Sequence, residues 1–436
     1  MLLRFEASNH RSIFEPVELS MIAVDQDRPS ARHFDLLSEH VLPVAGIYGP
    51  NASGKSNVLE AIAWLSTAVG RSLRSWAEFV PREPFKFGMG PESPSSYEVE
   101  MVVNGVRYAY HVELNDLEVL FEGLYSYPER RRRVLFERED LEIGFRRGLG
   151  NLSGTRKLLT PTTLALSAAM RFDEPEIELF GRSLVNMRIL GIRRWAAVRW
   201  PPVRPLSGQS LTERLFMEPP SSQLALFDDS DFAPRNDRES ALTMLRFADL
   251  GIDDVQVVEE EVTAATSLRN SSEPRRQLQF IHRIAQQELP FDLIEESAGT
   301  QTWFALIGPT LSALRDGSVL LFDEIDASLH PRLSARLLEL FEDPETNPNG
   351  AQLIFTTHDT SLLNYLNRDE VWLTEKSEED GTTSLTALAE YGGDKVRRSL
   401  NLERAYLQGR FGAVPELDQF VLRRALGISS GGTDGS

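Results

Sequence analysis

The segment Gly49–Ser56 constrains this chain more than any other feature, because it matches the phosphate-binding loop pattern G-x-x-x-x-G-K-[ST] without a mismatch. Small residues let backbone N–H groups surround phosphate oxygens, Lys55 reaches the outer phosphates, and the Ser56 hydroxyl offers a ligand to Mg²⁺. An apolar run over 42–48 predicts a buried strand before the loop, and apolar residues recur at helical spacing after it. This order of strand, loop and helix predicts binding of ATP or GTP. The residues expected at the phosphates are Asn51, Ala52, Ser53, Gly54, Lys55, Ser56 and Asn57.

Composition excludes several classes of protein. The 436 residues contain no cysteine, so there is no disulfide framework, thiolate zinc site or cysteine nucleophile. The formal net charge of −19 argues against a surface covered in positive charge, although local basic grooves are compatible with it. No apolar run approaches the length of a membrane span, and charged residues follow Met1 too closely for a secretory segment. We expect a globular protein of the cytoplasm with no membrane partner.

A second informative segment is 318–324, where an apolar run leads into Asp323 and Glu324. Such a run is typical of a central parallel strand that is buried on both faces. Its acids then lie at the carboxyl end of the strand, where open α/β sheets bind ligands. In a nucleotide site, we expect Asp323 to hold Mg²⁺ together with Ser56, and Glu324 to orient or deprotonate the attacking water.

Two more candidate residues follow the paired acids. Asp326 comes directly after them, and Pro331 opens a helix with an apolar face. Residues 353–357 predict another buried strand, which ends at His358. A histidine at that position is placed to hydrogen-bond the γ-phosphate or the attacking water.

A short run of small residues, 297–301, precedes a helix predicted over 303–314. Small residues at a helix N-terminus form an anion site, although Ser-Ala-Gly is also an ordinary N-cap sequence. One phosphate loop already exists in the chain. We therefore expect Ser297 and Gly299 to close over the nucleotide of another copy.

In this order, the motifs resemble those of the ABC-type ATPase heads of the SMC, RecF and OLD superfamily, in which nucleotide is sandwiched between two heads. The motifs that carry the resemblance are Asn9–Ser12, Gly49–Ser56, Ser297–Gln301, Asp323 with Glu324, Asp326 and His358. The resemblance implies a Mg²⁺-ATPase whose two composite sites form when subunits meet head to tail. It adds Arg11 and Asp326 to the expected nucleotide contacts, and it places Ser297 and Gly299 at the neighbour's γ-phosphate.

Four segments narrow the resemblance to the compact RloA-type and abortive-infection ATPases: 84–87, 135–138, 319–331 and 406–415. These bacterial proteins lack the long coiled coil of SMC proteins, as this chain does. The resemblance implies phage defence, with the chain as a sensor or scaffold for an effector encoded nearby, such as a Toprim-like or other nuclease. A nucleic acid or a phage protein is the expected trigger. A homodimer or higher homo-oligomer is the expected assembly.

The expected fold is α/β: an ABC-ATPase head with a mixed or parallel phosphate-loop sheet, an antiparallel β subdomain and an inserted helical subdomain. Residues 1–192 form the N-terminal lobe, in which Asn104-Gly105 predicts a β-hairpin. Residues 193–294 are expected to form the inserted, mainly helical and loop-rich subdomain. Residues 295–400 form the C-terminal lobe, and 401–436 a helical segment with a disordered tail.

Two features depart from the superfamily pattern. The signature reads Ser-Ala-Gly-Thr-Gln instead of Ser-Gly-Gly-Gln, which leaves open a scaffold that hydrolyses ATP negligibly. The superfamily's glutamine between phosphate loop and signature is also missing, because no glutamine occurs between Gln26 and Gln209. We expect 164–172 to supply the corresponding loop, with Met170-Arg171 where an amide would lie.

Another class of function stays open, namely a RecF-like ATPase of DNA repair or recombination that binds DNA directly. Its phosphate contacts would be arginines, although scattered arginines usually mark a solvated surface. The candidates are Arg130, Arg131, Arg132, Arg133, Arg146, Arg147, Arg193, Arg194 and Arg199. We find no nuclease constellation, because the acids Asp228, Asp229 and Asp231 lie in a polar loop bounded by prolines.

Overall fold

The structure of the protein is a computed structural model. It describes residues 1–34, 38–149, 152, 154–192, 208–217, 234–248, 251–260, 275–284, 287–327, 329–391 and 401–411. Some candidates from the sequence lie outside the described residues, namely Arg193, Arg194, Arg199, Asp228, Asp229, Asp231 and the tail after residue 411.

The described residues form runs of strands separated by helices. The strands are β1 (Leu2–Ser8), β2 (Val17–Ser20), β3 (Arg32–Phe34), β4 (Glu39–Val41), β5 (Val44–Tyr48), β6 (Ser95–Val103), β7 (Val106–Leu114), β8 (Val119–Tyr127), β9 (Arg133–Glu139), β10 (Glu142–Phe145), β11 (Arg188–Leu190), β12 (Ile252–Glu260), β13 (Arg275–Ile284), β14 (Gln287–Asp292), β15 (Val319–Phe322), β16 (Gln352–Thr356), β17 (Val371–Lys376) and β18 (Thr383–Ala387). The α-helices are α1 (Lys55–Ser75), α2 (Thr155–Leu158), α3 (Ala165–Ala169), α4 (Pro175–Val185), α5 (Gly208–Phe216), α6 (Pro234–Phe247), α7 (Ala298–Asp316), α8 (Pro331–Glu342) and α9 (Leu402–Leu407). Short 3-10 helices span Pro128–Arg130, Leu293–Glu295, Thr360–Asn364 and Leu388–Glu390.

One layer of the fold is a seven-stranded antiparallel sheet in the order β10-β9-β8-β7-β6-β1-β2. The predicted hairpin at Asn104-Gly105 is confirmed, since these residues join β6 to β7 and Val103 pairs with Val106. Both turn residues have positive φ, 48° and 77°, as a two-residue type I′ turn requires. The sheet therefore accounts for the strand-rich character of the first lobe.

The second layer is a six-stranded sheet in the order β11-β15-β16-β5-β17-β18, in which only β18 is antiparallel to its neighbour. Every residue of β5, β15 and β16 is buried, which confirms the expectation of central parallel strands. Alternate residues face opposite cores: Ile47 and Leu321 lie in the core with α1 and the antiparallel sheet, and Tyr48 and Phe322 in the core with α7 and α8. The fold is α/β with parallel and antiparallel sheets, and its parallel strands end side by side.

The described part of 193–294 contains more β-structure than we expected. Besides α5 and α6 it holds β12 and β13, which continue into β14 as an antiparallel three-stranded sheet. The strands are rich in charged residues, and such a composition predicts loops when the sequence is considered alone. Alternate side chains along β12 and β13 nevertheless face inwards, and Val255, Leu278 and Phe280 are buried in the core that contains α7.

Near the C-terminus, α9 packs on the 3-10 helix that follows His358. Asn364 Nδ2 donates to a Glu403 carboxylate oxygen at 2.7 Å, and the Tyr406 ring meets Tyr48 at 6.2 Å between centroids. Residues 401–411 therefore contact the loop after His358 and the end of β5. No helix in the described residues combines the length and hydrophobicity that crossing a bilayer requires.

Candidate nucleotide site

The phosphate loop joins the carboxyl end of β5 to the first turn of α1. Gly54, the N-cap of α1, has a φ of 107°, and a Cβ there would lie 2.3 Å from Thr383 Oγ1. Gly49 has a φ of 150°, and a Cβ there would lie 2.4 Å from Thr374 Oγ1. Glycine is required at both positions by conformation and by space. The helix start that follows is the kind that binds anions.

Two threonines that sequence reasoning missed hold this loop. Thr374 Oγ1 on β17 lies 2.5 Å from Ser53 Oγ, and Thr383 Oγ1 on β18 donates to Ser53 O at 2.8 Å. Thr383 also contacts Ser12 Oγ at 2.7 Å, and Ser12 accepts from Asn57 Nδ2 at 2.5 Å. The loop, the start of α1 and the turn after β1 thus form one network. Neither threonine belongs to a sequence motif, so their contacts with the loop could not be predicted.

Lys55 lies over the loop and near the candidate histidine. Its Nζ donates to Gly49 O at 2.9 Å and to Pro50 O at 3.0 Å. His358 Nδ1 lies 3.5 Å from the same Nζ. Burial lowers the pKa of Lys55 to about 8, opposed by the acids that follow β15. The structure therefore places His358 next to Lys55 of the loop.

The two metal candidates are in direct contact. Ser56 Oγ donates to Asp323 Oδ1 at 2.9 Å, and Thr356 Oγ1 donates to the same oxygen at 2.6 Å. Thr356 Oγ1 in turn accepts from Glu324 N at 2.8 Å. A hydroxyl and a carboxylate fit Mg²⁺, which prefers oxygen ligands and takes the rest from water and phosphates. Thr356 was not predicted, because its role depends on the neighbouring strand.

Two acidic residues, Glu324 and Asp326, follow Asp323 at the end of β15. The Glu324 side chain is exposed, and its φ of 56° is uncommon for glutamate. Asp326 Oδ1 accepts from Thr357 Oγ1 at 2.8 Å and from His358 N at 3.2 Å. Asp326 therefore fixes the backbone of His358, and Glu324 presents an accessible carboxylate beside the metal candidates.

Arg11 is engaged with carboxylates of its own chain. It forms an ion pair with Glu60 on α1, and its Nε lies 3.1 Å from Glu83 Oε2. Burial raises the pKa of Glu60 to about 7, against the opposing effect of Arg11. The structure shows no hydrogen bond or ion pair between Arg11 and a described residue of the phosphate loop.

A cavity of about 400 Å³ opens beside the start of α1. Its lining includes Arg11, Asn57, Phe85, Phe87 and Lys376. Aromatic rings next to cations suit a planar, electron-rich ring. The cavity extends the nucleotide site away from the phosphate loop.

The signature residues are separate from this network. Ser297 is the N-cap of α7, and its Oγ accepts from Thr300 N at 3.1 Å. Gln301 Nε2 donates to Glu296 O at 2.9 Å. Ser297 is exposed and Gly299 half-buried. Within the described residues, no hydrogen bond or ion pair links this helix start to the phosphate loop or to the acids after β15.

The interpretation of 164–172 as the missing glutamine loop is wrong. The first N–H of that segment donates to Ser72 Oγ at 3.2 Å. Ser72 lies about 24 Å along α1 from Ser56, at a rise of 1.5 Å per residue. Strand β15 lies between β16 and β11. The carboxyl end of β11 continues into Gly191, which contacts the main chain of Asp323.

Comparison with known proteins gives one family and a set of similar folds. A family model described as AAA domain, putative AbiEii toxin, Type IV TA system matches residues 44–364, from β5 to beyond His358. None of the curated proteins matches the chain. The head in "Crystal structure of the SmcHead bound to the C-winged helix domain of ScpA" is similar at 13% identity, over 88% of this chain and 97% of that chain, with a TM-score of 0.43. The SMC head domain from Thermotoga maritima is similar at 13% identity, over 88% and 98%, with a TM-score of 0.37.

Proposed function

This chain belongs to the family described as AAA domain, putative AbiEii toxin, Type IV TA system, an ABC-type ATPase of the SMC, RecF and OLD type, and we propose that it hydrolyses ATP with Mg²⁺. The observation that carries the proposal is the 2.9 Å hydrogen bond from Ser56 Oγ to Asp323 Oδ1. It joins the phosphate loop to the acid-bearing strand, and these are the two parts that a Mg²⁺-nucleotide site needs.

Each residue of the network has a role in this proposal. Lys55 binds the outer phosphates together with backbone N–H groups of the loop, and Ser56 and Asp323 hold the metal. Magnesium, when bound, neutralises charge on the phosphate oxygens. Glu324 takes the proton of the attacking water, and His358 hydrogen-bonds the γ-phosphate.

The cavity beside α1 supports a triphosphate whose base is a purine, as in ATP. Phe85 and Phe87 offer faces to a purine ring, while Lys376 and Arg11 offer positive charge near the ribose and phosphates. Arg11 then acts with its carboxylate partners in place and not as a free cation.

The active assembly in this proposal is a head-to-tail homodimer or higher homo-oligomer. Among the described residues, Ser297 and Gly299 at the start of α7 have no hydrogen bond to the phosphate loop, and a helix start suits the γ-phosphate of a neighbour. Size-exclusion chromatography with ATP, with ADP and without nucleotide tests the assembly. A dimer that forms with ATP in the Glu324→Gln variant is expected, and a monomer under all conditions contradicts it.

In the cell, we place the protein in the cytoplasm as the sensor or scaffold of an anti-phage system that controls a partner effector, such as a nuclease. The support is the family description, which names a toxin of a toxin–antitoxin system. The test is phage challenge of cells that carry the chain with its neighbouring gene. Protection is expected only when Lys55 and the neighbouring gene are both intact.

Direct DNA binding, as in a RecF-like repair ATPase, is the second candidate. Arg132 lies 4.0 Å from the centroid of the Tyr125 ring and pairs with Glu137, and Arg146 pairs with Glu176. These arginines already have partners, which makes a phosphate surface less favourable. Salt-dependent binding of duplex DNA by the purified protein would support this candidate over the defence role.

A further inference from the structure

Gly191 lies where two parallel strands end together. Strand β11 pairs with β15 so that Leu190 faces Phe322, and Asp323 N donates to Leu190 O at 3.0 Å. The backbone of the metal candidate Asp323 is therefore held by the residue just before Gly191. No motif in the sequence points to this position.

Glycine at 191 is required by contact as well as by conformation. Its φ is 75°, and a Cβ there would lie 2.2 Å from Asp323 O and 3.2 Å from Asp323 N. A Cβ cannot approach a carbonyl oxygen so closely, and a backbone atom cannot swing aside as a side chain can. Any other residue must therefore push β11 and the main chain of Asp323 apart.

Such a displacement reaches the carboxylate. Asp323 Oδ1 accepts from Ser56 Oγ at 2.9 Å and from Thr356 Oγ1 at 2.6 Å, and both lengths lie in the narrow range of O–H···O hydrogen bonds. A shift of the main chain by a few tenths of an ångström lengthens or misdirects them.

We propose that Gly191 is a positioning residue for the metal site, because the absence of a side chain lets β11 hold Asp323 so that its carboxylate meets Ser56 and Thr356 before nucleotide binds. The proposal rests on the Mg²⁺-ATPase function proposed above.

Gly105 provides a matched control. Its φ of 77° equals that of Gly191 within two degrees, but a Cβ at Gly105 would meet nothing within 4 Å. Gly105→Ala therefore introduces the same backbone strain without the collision. Binding of a fluorescent ATP analogue, MANT-ATP, is measured for wild type, Gly191→Ala and Gly105→Ala, first in EDTA and then across a Mg²⁺ titration.

We expect Gly191→Ala to bind MANT-ATP in EDTA as wild type does. The Mg²⁺ concentration that gives half of the Mg²⁺-dependent change in MANT-ATP binding should rise by about tenfold or more, the usual cost of losing support behind a metal ligand. Gly105→Ala keeps the wild-type Mg²⁺ requirement. A wild-type requirement in Gly191→Ala, or an equal shift in Gly105→Ala, overturns the role of Gly191. If wild type fails to bind MANT-ATP at all, the proposed function fails instead.

A second measurement covers the case in which Gly191→Ala does not fold. Hydrogen exchange of the wild-type peptide Val319–Glu324 is compared without metal and with Mg²⁺-ATP. A preformed Asp323 backbone predicts the same strong protection of its amide in both states, since that amide already donates to Leu190. Protection that arises only with Mg²⁺-ATP overturns the proposal.

Discussion

The two halves of the proposed site differ in how far one chain completes them. Around the phosphate loop, Lys55, Ser56, Asp323 and His358 are joined by short contacts to one another or to shared neighbours. At the signature, Ser297 is exposed and bonds only within the first turn of its own helix. Under the proposed function, one subunit would hold Mg²⁺-ATP by itself, whereas closure over the γ-phosphate would need a second molecule.

The difference has a physical origin in the fold. The first half lies where three buried parallel strands end together, so hydroxyl and carboxylate groups from distant parts of the chain converge. The second half is the start of one helix that follows the charged strands β12 to β14, and its polar groups point to solvent. Substitutions in the two halves should therefore have different consequences for binding, turnover and assembly.

The largest effect is expected from Glu324→Gln, which should slow ATP hydrolysis by about 10² or more while ATP binding stays intact, because a positioned base is lost. Turnover is measured by phosphate release and binding with MANT-ATP. Glu345→Gln is the control, since Glu345 is equally exposed and lies after α8. Undiminished turnover in Glu324→Gln would count against its role as base.

The next effect is expected from Lys55→Ala, which should weaken MANT-ATP binding by about 10 to 100-fold, the value of charge-assisted hydrogen bonds to phosphate. Lys157→Ala removes an exposed lysine on α2 and should bind as wild type does. A Lys55→Ala protein with wild-type affinity would remove the phosphate-binding role from the loop.

The affinity for MANT-ATP is expected to fall by about tenfold per pH unit above pH 8, because the pKa of Lys55 is lowered. In the free protein, Lys55 loses its proton as pH rises through about 8, whereas bound phosphate favours the protonated form. Binding must then take up a proton, and affinity falls as pH rises further. The measurement is MANT-ATP affinity from pH 7.5 to pH 9.5, and Lys55→Arg should abolish the slope because arginine stays charged.

The smallest effect on the ATP affinity of the monomer is expected at the signature. Ser297→Asn and Ser297→Asp both keep a side chain that caps α7, so the fold and the ATP affinity of dilute, monomeric protein should stay within about twofold of wild type. The two variants should differ in ATP-dependent dimer formation, because only aspartate places a negative charge where the neighbour's γ-phosphate should lie. Reduced ATP affinity in monomeric Ser297→Asn would show that the signature acts within its own chain.

Much of the half of the site around the phosphate loop could be predicted from the sequence. The loop Gly49–Ser56 and the strand before Asp323 are contiguous motifs whose spacing and apolar pattern reflect local structure, and the structure places both as expected. The contacts of Thr356 and Thr374 could not be predicted, because they depend on which strands become neighbours.

The other differences from the sequence-based expectations also arise from contacts between distant parts of the chain. The position of segment 164–172 between the motifs predicts a loop at the site, but the segment lies beside the far end of α1. The segment that reaches Asp323 follows β11, whose three residues are too few to show the periodicity of a strand in the sequence. Strands β12 and β13 carry so many charges that a loop was expected, although alternate side chains are buried. The ion pair of Arg11 with Glu60 could not be predicted, because Glu60 lies far along the chain.

Complementation between two variants that should each lose turnover tests most directly whether the site is shared by two subunits. Lys55→Ala has an intact signature, and Ser297→Asp has an intact phosphate loop, so a mixed dimer contains one complete site. At equal concentrations, half of the dimers are mixed and each has one of two sites, so hydrolysis should recover to roughly a quarter of the wild-type rate. A mixture no more active than the two variants measured separately would contradict a site completed by a neighbouring copy.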